Sequence, residues 1–144
     1  MRIALINSKQ DAAGVNIRDH LLSLLAEGGR WPLTDNHTLA FHEVRGRLIY
    51  QDRIDEEVDA DLIIFISRHS SAQPAPALTV HVTGNYGAAD LGGEPGMLAP
   101  SAPAWMHAIL QNLAARAPEG YRVSYEVTHH GPTALSTPSL FVEI

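Results

Sequence analysis

Three short segments of the sequence combine histidines with small polar, glycine or proline residues. They are "SRHSS" (67–71), "TVHVTGN" (79–85) and "THHGPT" (128–133), which together contain His69, His81, His129 and His130. A neutral imidazole has an ordinary pKa of about 6.5, so it exchanges protons near neutral pH, and its ring nitrogens also bind metal ions. We therefore predict acid–base or metal chemistry at these segments.

The other histidines carry little functional signal. His20 and His107 fall on the polar faces of predicted helices, where solvation is a sufficient explanation, and His37 and His42 fall in or beside a weak strand pattern. His81 lies between threonines in the middle of a predicted strand, so a hydrogen-bonded core histidine is as good an interpretation as a functional one.

Zinc is one ion that such histidines bind, but their spacing does not specify it. The chain has no H-E-x-x-H motif, and it has no cysteine, which excludes a thiolate site. His129 and His130 are adjacent, and neighbouring residues of a strand project to opposite faces, so we expect only one of them to join a given cluster.

Two other catalytic patterns are weaker. Ser67, Ser70 and Ser71 flank His69, but the G-x-S-x-G motif of a serine nucleophile is absent, and turn capping explains these serines better. The glycine-rich stretch "DLGGEPG" (90–96) matches no phosphate-binding motif.

The elements that must position the histidines form an α/β pattern. Continuous apolar runs at 3–6 and 62–67 predict strands buried on both faces, as in a parallel sheet. The other predicted strands are 37–44 (alone, or as half of a hairpin with 47–51), 77–85, 121–130 and 139–144. Residues 52–61 are predicted as a connector or short helix, and two longer helices as one capped by Asn16 and one covering 103–117. We predict one domain over residues 1–144, a three-layer α/β sandwich around a mostly parallel sheet.

In open α/β sheets, ligands bind at the carboxyl ends of the strands. Residues 68–70, 84–86 and 129–131 follow three of the predicted strands. We expect them to lie together at one edge of the sheet.

Charge and hydropathy limit the classes of protein. The chain has 144 residues and a formal net charge of −6, with no lysine or arginine from Gln73 to Ala115, so an extended basic face for nucleic acid is absent from the sequence. No apolar run is long enough to span a bilayer, and the first residues lack the order of a signal peptide, so we expect a cytoplasmic protein.

The motifs together resemble those of the archaeal- and plant-type D-aminoacyl-tRNA deacylases. The similar segments are, in order, "DAAGVNI" (11–17), "IYQDRID" (49–55), "SRHSS" (67–71), "PALTVHVTGNYG" (76–87), "YEVTHHGPT" (125–133) and "PSLFVEI" (138–144). The resemblance implies hydrolysis of the ester between a D-amino acid and the 3′-terminal ribose of tRNA. It also implies zinc, a fold similar to that of phosphorylases and peptidyl-tRNA hydrolases, and the aminoacyl-tRNA 3′ end as partner, with neither DNA nor membrane; a homodimer is a further expectation.

Site roles follow from the resemblance. The expected catalytic residues are His129, His130 and His69, with His129 or His130 as the general base. The expected zinc ligands are His69, His81 and His130. The expected substrate contacts are Thr83, Asn85, Gly131 and Thr133, with the Gly131 N–H holding the oxyanion.

Members of the family are longer than this chain, so the match is expected to cover their N-terminal half. Two other hypotheses stay open. One is a small-molecule α/β hydrolase or phosphorylase, which the negative charge favours. The other is a catalytically silent, truncated domain.

Overall fold

The computed structural model describes residues 1–27, 36–70 and 75–144, so Ser71 of the first histidine segment lies outside it. The strands are β1 (Arg2–Ser8), β2 (Thr38–Val44), β3 (Leu62–Ser67), β4 (Ala77–Val82), β5 (Gly84–Asn85), β6 (Arg122–Tyr125), β7 (His129–His130) and β8 (Ser139–Glu143). The helices are α1 (Ala12–Ala26) and α2 (Pro103–Arg116), with two short 3-10 helices at Leu48–Tyr50 and Ile54–Glu56.

Six strands form the main sheet in the order β2-β1-β3-β8-β4-β6. The strands β2, β1, β3 and β8 run parallel, whereas β4 is antiparallel to β8 and parallel to β6. The predicted mostly parallel sheet is confirmed. The expected hairpin of 37–44 with 47–51 is wrong, since β2 pairs in parallel with β1 and the second segment forms a 3-10 helix.

The sheet is covered on both faces, which confirms the predicted three-layer α/β arrangement. Apolar side chains of α1 and α2 pack on one face, where Ile64, Val80 and Leu140 are buried. The 3-10 helices and a loop around Leu135 cover the other face, where the stacked rings of Phe65 and Phe141 lie 4.8 Å apart. This second face carries the histidines.

Helix α1 begins earlier than its apolar stripe predicts. The N-cap is Asp11, whose carboxylate accepts the N–H of Ala13, and Asn16 lies inside the helix. Gly14 allows the first turn to approach β3 closely, since a Cβ at this position would lie 2.7 Å from the carbonyl oxygen of Ile66. Helix α2 confirms its prediction within one residue at its end.

The two long strands predicted for the histidine segments are each interrupted. The 77–85 strand breaks at Thr83, because Gly84 turns the chain with a φ of 135°. The 121–130 strand breaks after Tyr125. The pieces beyond the breaks, β5 and β7, form a separate antiparallel ribbon that pairs Gly84 with His130 and Asn85 with His129.

None of the helices in the described parts of the chain has the length and apolar character that crossing a membrane requires.

The close contact at Gly14 gives a stability prediction. We expect Gly14→Ala to lower the free energy of unfolding by about 1–3 kcal/mol, because the added methyl group forces α1 away from β3. Gly87→Ala is the matched control, since nothing lies within 4 Å of a Cβ there, and we expect a change of no more than about 0.5 kcal/mol. Denaturant unfolding measures both, and equal stability of the two variants would contradict the packing described.

Candidate functional site

A buried carboxylate, Glu143 near the end of β8, is the centre of the histidine cluster. Its Oε1 accepts a hydrogen bond from the Ser67 hydroxyl at 2.9 Å and lies 3.5 Å from Nε2 of His130 and 3.7 Å from Nε2 of His81. Its Oε2 lies 3.3 Å from Nδ1 of His69. Three of the four predicted histidines therefore contact one carboxylate.

His129 completes the cluster from the side of the β5–β7 ribbon. Its ring centroid lies 5.2 Å from that of His81 and 4.6 Å from that of His130. One ring nitrogen from each of these three histidines lies within 4.8 Å of the others. Both His129 and His130 join the cluster, unlike neighbouring residues of a long regular strand, because β7 is only two residues long and both rings reach His81.

The same orientation recurs in the three rings. Nδ1 of His81, His129 and His130 lies 2.8–2.9 Å from the backbone carbonyl oxygens of Val82, Val127 and Gly131. A carbonyl oxygen only accepts hydrogen bonds, so each Nδ1 carries the hydrogen, and in the neutral ring Nε2 keeps its lone pair. This second contact is the one that histidine ligands of metal ions usually make.

The environment of Glu143 is therefore rich in electron pairs. When the rings are neutral, Nε2 lone pairs of His81 and His130 face a carboxylate, and Nε2 of His81 is buried without a hydrogen-bond partner. Only a positive charge between these atoms makes the arrangement favourable. That charge is either a proton on Nε2 or a metal ion.

The ionisation of Glu143 reflects these neighbours. Burial raises the pKa of the Glu143 carboxyl, but His130 and His81, when their rings carry a proton on Nε2, together with the hydroxyl of Ser67 lower this pKa further than burial raises it. The net pKa lies far below the ordinary value. Glu143 is thus an anion throughout the neutral range.

His69 belongs to a second group of potential ligands. Its Nδ1 lies 3.3 Å from Oε2 of both Glu126 and Glu143, and these three residues also satisfy the distances of a metal site. The structure therefore separates the three predicted zinc ligands, since His81 and His130 lie in one group and His69 in the other, with Glu143 contacting both.

A cleft of about 570 Å³ opens onto this site at the carboxyl ends of the parallel strands. His129, His130 and Glu143 line one part of it. The first turn of α1 and the residues after β2 and β3 line the rest. The expected meeting of all three strand ends at one edge is wrong, because β4 and β6 run opposite to β3; the histidines meet on the face of the sheet instead.

The predicted substrate contacts lie away from this cleft. Thr83, Asn85 and Thr133 are buried. Asn85 donates to the carbonyl oxygens of Gly92 and Glu94, and the Thr133 hydroxyl accepts the N–H of Glu94, so both side chains hold the 91–98 loop. The Gly131 N–H donates to the carbonyl oxygens of Leu91 and Gly92, so it is not free to bind an oxyanion.

No sequence motif marks Glu143 or Glu126 as a functional residue. Each is an isolated carboxylate beside apolar residues, in "LFVEI" and "YEV". Glu126 is followed by His129 and His130, whereas Glu143 has no histidine near it in sequence. A signal was nevertheless present, since an acidic residue near the end of an otherwise apolar strand must find partners. Which partners it finds depends on the pairing of strands that are distant in sequence.

Comparison with known proteins gives a consistent result. The family model described as D-aminoacyl-tRNA deacylase matches residues 56–144. A D-aminoacyl-tRNA deacylase of Methanoculleus marisnigri is 82% identical over all of this chain, which covers 33% of that protein. One of Archaeoglobus fulgidus is 41% identical over 95% of this chain and 53% of that protein. The crystal structure of AF0625, a conserved protein of unknown function, superposes with a TM-score of 0.79 at 37% identity, covering 99% of this chain and 54% of that one.

The depressed pKa of Glu143 gives a pH prediction for the metal-free protein. An acid whose pKa is lower in the folded than in the unfolded chain stabilises the fold above the unfolded value of about 4.3, and this contribution is lost as the pH falls towards the folded value. We therefore expect Glu143→Gln to lower the free energy of unfolding by roughly 1–3 kcal/mol at neutral pH, and the deficit to shrink in acid.

Urea unfolding of both proteins over an acid-to-neutral pH series measures this deficit. Glu119→Gln is the matched control because Glu119 is exposed, and it should show no deficit at any pH. A deficit for Glu143→Gln that is constant with pH would contradict the ionised, partnered carboxylate.

Proposed function

Since this chain belongs to the D-aminoacyl-tRNA deacylase family, we propose that its histidine site hydrolyses the ester that joins a D-amino acid to the 3′-terminal ribose of tRNA. The chain spans about a third of the length of the first three curated relatives that it matches. The observation that carries the proposal is the group of four histidines around Glu143 at the end of a cleft.

His129 is the residue best placed to act as general base. It is exposed and lines the cleft, whereas His81 is fully buried and His130 nearly so. Its Nδ1–H is held by the Val127 carbonyl oxygen, so the Nε2 lone pair is available to take a proton from the attacking water. His130 has the same arrangement one position deeper.

His69, which lies against two carboxylates, is the residue placed to act as the general acid. Nδ1 of His69 lies between Glu126 and Glu143, which fixes the orientation of the ring, and the remaining ring nitrogen is left for a proton transfer. Ester hydrolysis needs a proton for the departing ribose oxygen. We assign this transfer to His69, in keeping with its predicted catalytic role.

We also propose that the site binds zinc. Two of the three clustered histidines, His81 and His130, would hold the ion through Nε2, since each Nδ1–H is bound to a carbonyl oxygen and the buried Nε2 of His81 lacks a partner. The Nε2 of the third, His129, is left for its role as base. Glu143 lies against two of these rings, and the His69–Glu126–Glu143 group offers a second set of ligands. Zinc held by these residues would lower the pKa of bound water to near 7 and would polarise the ester carbonyl.

The charge of the chain suits contact with the 3′ end of tRNA rather than its body. Net charge is −6, and a protein that grips an RNA helix through its phosphates needs an extended basic face. A cleft of about 570 Å³ is of the size that accepts an amino acid with one nucleotide. The partner proposed here is therefore the single-stranded aminoacyl end.

Turnover of D-Tyr-tRNA tests the proposed function. We expect the chain to release D-tyrosine from D-Tyr-tRNA in the presence of zinc, and a chelator to stop this release. In His129→Ala, which loses the base, kcat/KM should fall by about 10²–10⁴-fold. His107→Ala is the control because His107 is also exposed but lies on α2, and its activity should be unchanged. Turnover of small esters without turnover of D-Tyr-tRNA would contradict the assigned substrate.

The second prediction concerns zinc itself and needs no substrate. Zinc should raise the free energy of unfolding by RT ln(1 + [Zn]/Kd), and the effect should weaken as the pH falls, because protonated imidazoles do not bind metal. His130→Ala should lose most of this stabilisation, while His107→Ala keeps it. Equal stabilisation of both variants would show that zinc binds elsewhere.

A further inference from the structure

The cleft continues well beyond the histidines. Its far part is lined by residues at the carboxyl ends of three neighbouring parallel strands, β2, β1 and β3, and by the start of α1. Two of these residues, Arg47 and Arg68, are cationic, and the cleft is also lined by the small or polar residues Ser8, Gln10, Ser67 and Ser70. This part of the cleft has no role in the chemistry assigned to the histidines.

The two arginines approach the cleft from opposite sides. Arg47 follows β2 and Arg68 follows β3, and β1 lies between these strands in the sheet. Both residues are exposed, and neither pairs with a carboxylate among the residues that the structure describes. The Arg47 guanidinium lies 5.8 Å from the centre of the Tyr50 ring, which restricts its orientation.

The two carboxylates that line the cleft are held by other groups, so in the described part of the chain neither forms a side-chain ion pair with Arg47 or Arg68. The two Asp11 oxygens accept the N–H groups of Ala13 at 3.0 Å and Arg68 at 2.6 Å. Glu143 is bound by Ser67 and the histidines at the other end of the cleft. Because Asp11 caps α1, the arginines rather than the helix end supply the positive charge offered to a ligand.

We propose that Arg47 and Arg68 bind the 5′-phosphate of the nucleotide whose ribose carries the scissile ester. This inference rests on the proposed function, since it takes the ligand to be the terminal adenosine nucleotide of an aminoacyl-tRNA. The ester is on the 2′ or 3′ oxygen of that ribose and the phosphate on its 5′ oxygen, so a site that holds the ester at His129 must accommodate the phosphate one sugar away. Guanidinium groups form bidentate hydrogen bonds with phosphate oxygens.

The test measures binding, so it does not depend on catalysis. Isothermal titration calorimetry measures the affinity of the full chain for three ligands: adenosine 5′-monophosphate, adenosine and inorganic phosphate. The three affinities separate the contribution of the phosphate to binding from that of the nucleoside. We expect the monophosphate to bind about tenfold or more tightly than adenosine, and Arg47→Gln and Arg68→Gln each to remove about tenfold of its affinity. Arg122→Gln is the matched control, because Arg122 is an exposed arginine on β6 outside the cleft, and should bind as the unaltered chain does.

The outcomes are distinct. Equal binding of adenosine and its monophosphate, or unchanged affinity in both cleft variants, would overturn the proposal. Inorganic phosphate binding as tightly as the monophosphate would also overturn it, by showing a site for free anions rather than for a nucleotide.

Turnover separates this inference from the function on which it rests. If the chain hydrolyses D-Tyr-tRNA and both cleft variants keep the KM, the phosphate site is wrong and the function stands. If the monophosphate binds through the arginines but D-Tyr-tRNA is not hydrolysed, the phosphate site is supported and the function is contradicted.

Discussion

Glu143 is an ionised carboxylate buried on the face of a sheet, and its need for partners shapes the site. An unpaired charge in such a position costs several kcal/mol, so the surrounding residues must supply protons or cations. Here Ser67, His69, His81 and His130 do so from three different strands and their ends. The backbone carbonyl oxygens that hold each Nδ1 of His81, His129 and His130 then leave the Nε2 atoms to satisfy the carboxylate through a proton or a metal ion.

The reversal of strand direction between β8 and β4 makes this convergence geometrically feasible. Because β4 is antiparallel to β8, His81 pairs with Phe141 and its ring stacks on the Phe141 ring at 5.2 Å, two residues from Glu143. The breaks after Val82 and Tyr125 then allow β5 and β7 to leave the sheet as a ribbon that places His129 and His130 over the same face. A continuous strand in either place would separate these rings.

Much of the fold could be predicted from the sequence, because the signals that specify it are local. The apolar runs at Leu62–Ser67 and Ser139–Glu143 and the stripe of α2 have periods that distinguish strand from helix. Strand direction, and the pairing of segments far apart in the chain, leave no local period. For that reason the histidines could be predicted by residue type and motif, whereas neither the partners of Glu143 nor the hydrogen bonds of Asn85 and Thr133 to the 91–98 loop could.

The account depends on the claim that three imidazoles are fixed with hydrogen on Nδ1 and present Nε2 to a cation. Long-range ¹⁵N–¹H correlation spectra of the histidine rings, recorded without metal and again with zinc, test it directly. Hydrogen is expected on Nδ1 of His81, His129 and His130 in both states, with zinc-induced shifts confined largely to the Nε2 resonances of His81 and His130. Neutral rings with hydrogen on Nε2, or spectra that zinc leaves unchanged, would contradict it.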